Sequence, residues 1–434
     1  MEPITIRKAN GIIRCVMALG LMLAMFTAAS RASAFSLLDP SAWQQSDPFS
    51  VTNPNSWPVI PIPIVTTDPN GGTTYGLMAV KLFKDANGDI SEIFAPDITK
   101  NTTLGVGGDF RYFAYPSADT HWYATASAQE TKARNVDVSY QTGLTRQQWW
   151  SWSGRLFWEH DPTERFFGIG NMTPNSQESN YMTKQIYAES LLGLNFSEQL
   201  QLAWLFRPRY ERLGPGGFTS IPATSQVFPT VKGLGGGSEI FNGAVFSYDT
   251  RDSTDLPTRG GYYQLNYGLA DRRLGSSMSY NRFGTEIRHY FPLGNRIVFA
   301  THAYVSYMPA GGEPPFWSMA RLGGEATDFL TDRTTQRGWG VGRWTDNNIE
   351  GFNAEMRTKV YSAKVFDTQG TLELAPFVDM GKVTHYFTDN PVNQFHPAGG
   401  LGIRAQAQPF VVGFVDIGYA GDGSSIFAGV NYPF

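Results

Sequence analysis

A chain of 434 residues with 17% charged and 14% aromatic side chains and a net charge of −4 is too aromatic for disorder and carries no basic footprint for nucleic acid. Its one cysteine can form neither an intramolecular disulfide nor a thiolate metal site. Only one long apolar run exists, which excludes a bundle of membrane helices, and the mean hydropathy of −0.26 averages over everything else. A glycine- and aromatic-rich all-β chain remains.

The apolar run, Val16 to Ala29, follows Arg7, Lys8 and Arg14 and precedes Ala32-Ser33-Ala34. A basic start, a short apolar centre and a small-x-small exit predict a secretory signal peptide over residues 1–34. Its removal takes Cys15 with it and leaves a more acidic chain without cysteine, which suits passage through an oxidising periplasm. Residues 35–72 are a Pro-rich strap containing Trp43, Trp57 and Pro58-Val59-Ile60-Pro61-Ile62-Pro63. Prolines at this density forbid a helix and weaken ladder pairing. So short a segment cannot bury an independent core.

From Thr73 onward, strand-like segments alternate with Gly, Asn, Asp and Pro punctuation. The predicted strands are 73–84, 90–100, 103–115, 119–140, 147–159, 179–196, 199–212, 239–250, 260–270, 278–291, 295–308, 348–360, 371–385, 397–408, 410–420 and 425–434. Their faces differ in kind. Leu372, Leu374, Val378 and Met380 alternate with Glu373, Ala375, Phe377 and Asp379; Leu401 and Ile403 alternate with Gly402 and Arg404. In the last segment Ile426, Ala428, Val430, Tyr432 and Phe434 share one face. Apolar residues outside and polar ones inside describe a transmembrane antiparallel β-barrel, here of about sixteen strands, closed because lipid cannot satisfy a free edge. Asp85-Ala86-Asn87-Gly88-Asp89 and Pro292-Leu293-Gly294 are predicted periplasmic turns. Residues 160–178, 213–238 and 309–347 are predicted extracellular loops, the last too long for a plain connection. Trp149, Trp150 and Trp152 fit a membrane interface.

The ordered set Arg321-Leu322-Gly323-Gly324, Gln336-Arg337-Gly338-Trp339, Phe377-Val378-Asp379-Met380-Gly381, Gly400-Leu401-Gly402-Ile403-Arg404 and Asn431-Tyr432-Pro433-Phe434 resembles the BamA/TamA outer-membrane superfamily, the bacterial surface antigen family. Arg165 to Asn171 and Asp249 to Asp252 resemble its barrel as well, so the likeness covers most of 73–434. It implies that 309–347 folds back into the lumen, with Arg337 and Trp339 at its tip, Asp379 as the wall acid and Glu355 beside it. Alternation independently puts Glu355 and Asp379 on polar faces, a guanidinium can grip a carboxylate with two bonds, and Gly338 permits a tight turn beside the wall. Gln336 and Trp339 depart from the family's usual aliphatic residue and its Phe or Tyr. The C-terminal Ile426, Ala428, Val430, Tyr432 and Phe434 resemble the signal read by the barrel-assembly machinery. Family members carry POTRA domains that receive client polypeptides; residues 35–72 cannot hold one, which implies a member lacking them. Whether the strap plugs the lumen or lies in the periplasm stays open.

The chemistry-bearing residues suggest no enzyme and no cofactor. None of His121, His160, His289, His302, His385 and His396 forms a His-Glu-x-x-His pair, and no Gly-x-Ser-x-Gly elbow occurs. Gly338 to Gly342 opens no helix that could cradle phosphate. Asp249, Arg251 and Asp252 read as a local ion-pair cluster, with a cation site as the alternative. The expected role is outer-membrane assembly or transport, with outer-membrane lipids and a polypeptide or lipid client as partners; the alternative is a passive pore or structural surface protein.

Overall fold

The computed structural model describes residues 59–434 apart from 69, 86–89, 310–311, 313, 329–331, 366–367, 387, 390–392, 408–410 and 431. The signal peptide, most of the strap and the centre of the turn at 85–89 lie outside the described residues. In chain order the strands are β1 (Ile60–Asp68), β2 (Gly72–Lys84), β3 (Ile90–Phe94), β4 (Asp97–Asn101), β5 (Gly105–Ser117), β6 (Thr120–Gln129), β7 (Arg134–Thr142), β8 (Trp150–Phe166), β9 (Ser179–Asn195), β10 (Leu200–Pro215), β11 (Gly237–Asp249), β12 (Gly260–Ala270), β13 (Tyr280–Pro292), β14 (Ile297–Tyr307), β15 (Ala320–Leu322), β16 (Gly324–Asp328), β17 (Asp332–Gln336), β18 (Trp344–Asp346), β19 (Asn348–Val365), β20 (Thr368–Thr384), β21 (His396–Ala407), β22 (Val411–Ala420) and β23 (Gly423–Val430). β15 to β18 form two small hairpin-like pairs inside the loop between β14 and β19. The others form one antiparallel sheet that closes where Thr67 of β1 pairs with Ile426 of β23. β3 and β4 are halves of one stave, broken at Ala95-Pro96, since both pair β2 and both pair β5. The described ring thus has eighteen staves.

The two staves beyond the expected count have clear origins. The segment 119–140 is a hairpin, β6 and β7. Its turn contains no Gly, Pro or Asn, and Lys132 itself takes the left-handed conformation at φ 70°, so the usual turn signal is missing. The other added stave is Ile60–Asp68, inside the segment read as a strap. It pairs with β2 along all nine of its residues. Pro61 and Pro63 withdraw donors at alternate positions, and among the described residues its ladder with β23 is the single pair Thr67 and Ile426. Proline confines a strand to an edge, and here that edge is the closing seam.

Alternation governs both walls. Val378, Leu401 and Val415 are exposed on the outside; Asp379, Arg404 and Asp416 are fully buried inside. The loops 216–236, 308–347 and 385–395 all lie at one end, opposite turns such as 196–199 and 293–296, the pattern of an outer-membrane barrel with its long loops outward. Alternation fails at the C-terminus. β23 ends at Val430, and Tyr432 and Phe434 turn into the barrel instead of continuing on the lipid face with Ile426 and Ala428. Pro433 cannot donate to a ladder, which favours the strand ending before it.

Candidate functional site

The loop between β14 and β19 enters the lumen and is anchored on two separate stretches of wall. Its stem forms a tight turn, Phe316-Trp317-Ser318, whose side chains are all buried. Phe316 packs edge-on to Tyr181 and against Phe166. Trp317 lies under the Arg209 guanidinium and donates from Nε1 to the Gly233 carbonyl at 3.1 Å. The Ser318 hydroxyl donates to Glu239, which also accepts from Tyr280 at 2.9 Å. Arg321 reaches Glu164 at 2.5 Å. Alternation could not reveal this stem anchor, because it lies in a loop and depends on tertiary packing.

The tip anchor is built on β19 to β22. Arg337 is fully buried and grips Asp379 from two nitrogens, Nε at 2.9 Å and Nη2 at 2.8 Å, while its backbone N–H donates to the same carboxylate at 3.0 Å. Nη1 donates to Asp416 at 2.7 Å and to Glu355 at 3.2 Å. The guanidinium also lies flat over Phe377, 3.4 Å from the ring centre. Burial works against its charge, but Asp379, Asp416 and Glu355 outweigh that cost and raise its pKa well above the ordinary arginine value. Arg404 donates to Asp416 and to Glu355, the latter at 3.1 Å, and Arg357 donates to Glu355 at 2.6 Å. Arg337, Arg357 and Arg404 therefore face Glu355, Asp379 and Asp416. Equal numbers of opposite charges make a buried cluster tolerable where an odd charge is not. Asn353 donates to Asp379 at 2.8 Å and contacts His302, whose other ring nitrogen is 3.1 Å from Glu286.

The residues beside Arg337 fit the wall by shape. Gly338 has φ 103°, and a Cβ there would stand 2.8 Å from the Tyr419 carbonyl carbon. Only glycine combines that conformation with that approach. Trp339 meets Trp344 edge-on and donates to the Pro397 carbonyl at 3.2 Å; Trp344 stacks on His396 at 3.6 Å. Gln336 is buried and donates to the His396 carbonyl. The loop between β8 and β9 closes over this tip. Gly170 donates to the Thr345 carbonyl at 2.9 Å, and Arg343 reaches Thr173 and Asp422. On the other side of the seam, Asn70 donates to the Val341 carbonyl at 2.7 Å.

A family model for the Omp85 superfamily domain matches residues 120–410, which include every residue of the pin except Asp416. The chain belongs to the Omp85 superfamily. As an Omp85 barrel it is an integral outer-membrane protein. Among solved structures it is similar to BamA from Haemophilus ducreyi lacking POTRA domains 1-3, at 14% identity and TM-score 0.50, over 81% of this chain and 75% of that one. It is also similar to CdiB from Escherichia coli, at 13% identity and TM-score 0.45, over 86% of this chain and 62% of that one. At these identities the likeness concerns the fold. No curated protein matches the chain by sequence.

All five residues expected at the pin of this Omp85 barrel, Arg337, Gly338, Trp339, Glu355 and Asp379, meet in one place. Arg357, Arg404 and Asp416 complete it and were not expected, although each is a charged residue on the polar face of its strand, which is signal enough. The five expected at the C-terminal signal do not share one face. Ile426 and Ala428 face outward, and the Val430 side chain lies outside the described residues. Tyr432 lies under Arg357 at 3.7 Å and donates to Glu373 at 2.8 Å. Phe434 stacks on His302 and packs with Tyr290, Val298 and Ala300. Arg251 is paired with Asp249 at 2.6 Å, and Asp252 accepts from Thr258, an ion-pair and turn arrangement at the rim.

Proposed function

We propose that this barrel works in outer-membrane assembly or in the transport of a polypeptide or lipid client, and that the pinned loop is its resting plug. The observation that carries this reading is the double anchoring of 308–347 inside the barrel, by Ser318 and Trp317 on β10 and β11 and by Arg337 on β19 to β22. A neutral, six-residue buried ion cluster holds the loop against the inner wall, which a passive pore does not require. Membership of the Omp85 superfamily supports the same direction. The partners would be outer-membrane lipids, a polypeptide or lipid client and, during its own insertion, the barrel-assembly machinery acting on Ile426 to Phe434. Export would rest on residues 1–34.

Deletion of the gene followed by profiling of outer-membrane proteins and lipids tests the proposal. A selective loss of one class of protein or lipid is expected. An unchanged profile, together with a large steady conductance from the purified barrel, would leave the pore reading in its place.

A further inference from the structure

The outer surface carries a cationic row that the lumen machinery does not use. Arg134 of β7 is the register partner of His160 of β8, His160 of Lys184 of β9, and Lys184 of Arg212 of β10. Register partners project from the same face. Arg134, Lys184 and Arg212 are exposed, and His160 is half-buried beside the Met182 sulfur. The charged groups acting on His160 are Lys184, Arg134 and Lys132 of the β6–β7 turn, all cations. Among the described residues Arg134, Lys184 and Arg212 have no ion-pair partner.

The row sits at a boundary. The next outward row toward the short-turn end is Val136, Trp158, Ile186 and Tyr210, again in register. Down β8 the outward residues are Trp158, Leu156, Gly154, Trp152 and Trp150, none of them charged. Ten residues of a strand tilted by about 40° descend about 25 Å, the height of an outer-membrane apolar band. His160 and Trp150 therefore mark the band's two edges on this stave. At the same end of β11 to β14 the outward strand residues include Ile240, Leu269, Phe283 and Tyr307, so the in-register row of cations is not continued along those staves.

We propose that the outer face of β7 to β10 is a site for the headgroup of a membrane lipid bearing more than one phosphate, taken from the leaflet at the long-loop end. Four staves at about 4.8 Å spacing hold Arg134 and Arg212 about 14 Å apart, too far for one phosphate to bridge and suited to two. Arginine offers a planar fork to phosphate oxygens and lysine a mobile point charge, so Arg134 and Arg212 orient the headgroup while Lys184 adapts. The acyl chains then lie on Val136, Trp158, Ile186 and Tyr210, where apolar surface is already presented to lipid.

The test uses the full-length folded barrel in mixed micelles with a bis-phosphorylated disaccharide lipid, and native mass spectrometry to count bound lipid. Wild type is expected to retain it. The double variant Lys184→Gln/Arg212→Gln is expected to lose roughly 25-fold in affinity, taking about fivefold per removed surface cation. Lys100→Gln, at the same end of β4, is the control and is expected to bind as wild type. Heat-modifiable migration in gels certifies that each variant is folded. Equal retention by the double variant overturns the proposal. So does equal retention of the dephosphorylated lipid, and so does inorganic phosphate alone binding as tightly as the lipid.

Discussion

Replacing Arg337 by alanine removes four side-chain hydrogen bonds to three carboxylates, at 2.9, 2.8, 2.7 and 3.2 Å. It also leaves Arg357 and Arg404 to balance Glu355, Asp379 and Asp416. Deleting one partner of a buried pair costs about 3–5 kcal/mol, because the abandoned charge stays desolvated. Here the tip has an escape: it can leave the wall, admit water and solvate Asp379, while the stem stays held by Phe316, Trp317 and Ser318. The cost should therefore appear as release of the tip, not as unfolding of the barrel. At 1.4 kcal/mol per tenfold, the open population of the tip rises by roughly a hundredfold to several thousandfold. Limited proteolysis of the folded barrel reads that population when opening is fast relative to cleavage. Cleavage within 309–347 should accelerate in Arg337→Ala while heat-modifiable migration is preserved. Adding Asp379→Ala removes the orphaned carboxylate and should recover part of the loss, a coupling expected only for residues in contact. Cleavage of Arg337→Ala at the wild-type rate would refute the pin.

Gly338→Val places a β-branched residue at φ 103° against the backbone of Tyr419 and Ala420; it should release the tip by about 1–3 kcal/mol, seen in the same proteolysis. In planar bilayers the wild-type barrel should show small, fluctuating conductance and Arg337→Ala larger openings; a large steady wild-type current would contradict a plugged lumen. Phe434→Ala removes a ring packed among Tyr290, Val298 and Ala300, at a cost of about 3–5 kcal/mol. The purified, refolded variant should lose its compact gel migration at lower temperature than wild type; a defect confined to insertion in cells would deny the ring its packing role. The pair Thr67→Cys/Ile426→Cys, with Cys15 replaced by serine, should cross-link on oxidation because the two are direct register partners; no cross-link would count against closure at this seam.

Where strands have two chemically different surroundings, the residues announce it. Val378 beside Asp379 and Ile403 beside Arg404 can be assigned to lipid and lumen by alternation alone, and the barrel follows. The Arg337–Asp379 contact was legible only through the resemblance, supported by the polar parity of Asp379. Three features were hidden for physical reasons. The turn between β6 and β7 uses Lys132 where a glycine would have marked it. β1 is masked by prolines that an edge can tolerate and an interior strand cannot. At the C-terminus, parity was extended across Pro433, where the ladder that enforces parity has already ended. The stem anchor at Phe316 to Ser318 has no periodicity at all, because nothing about a loop's sequence says which wall it will meet.

The closing pair, Thr67 with Ile426, joins strands at opposite ends of the described chain. It is the contact of greatest sequence separation in the sheet, so the ring cannot complete before β2 to β22 are in place. Until then β1 and β23 are open edges, and in hydrocarbon each unmatched backbone group costs several kcal/mol. An unclosed sheet is therefore not a species that lipid alone can tolerate; its edges must be sheltered by water or by another protein until they meet. Once they meet, a ladder that among the described residues is a single register pair contributes little to the ring's cohesion, and the last step of assembly is also the least costly to reverse.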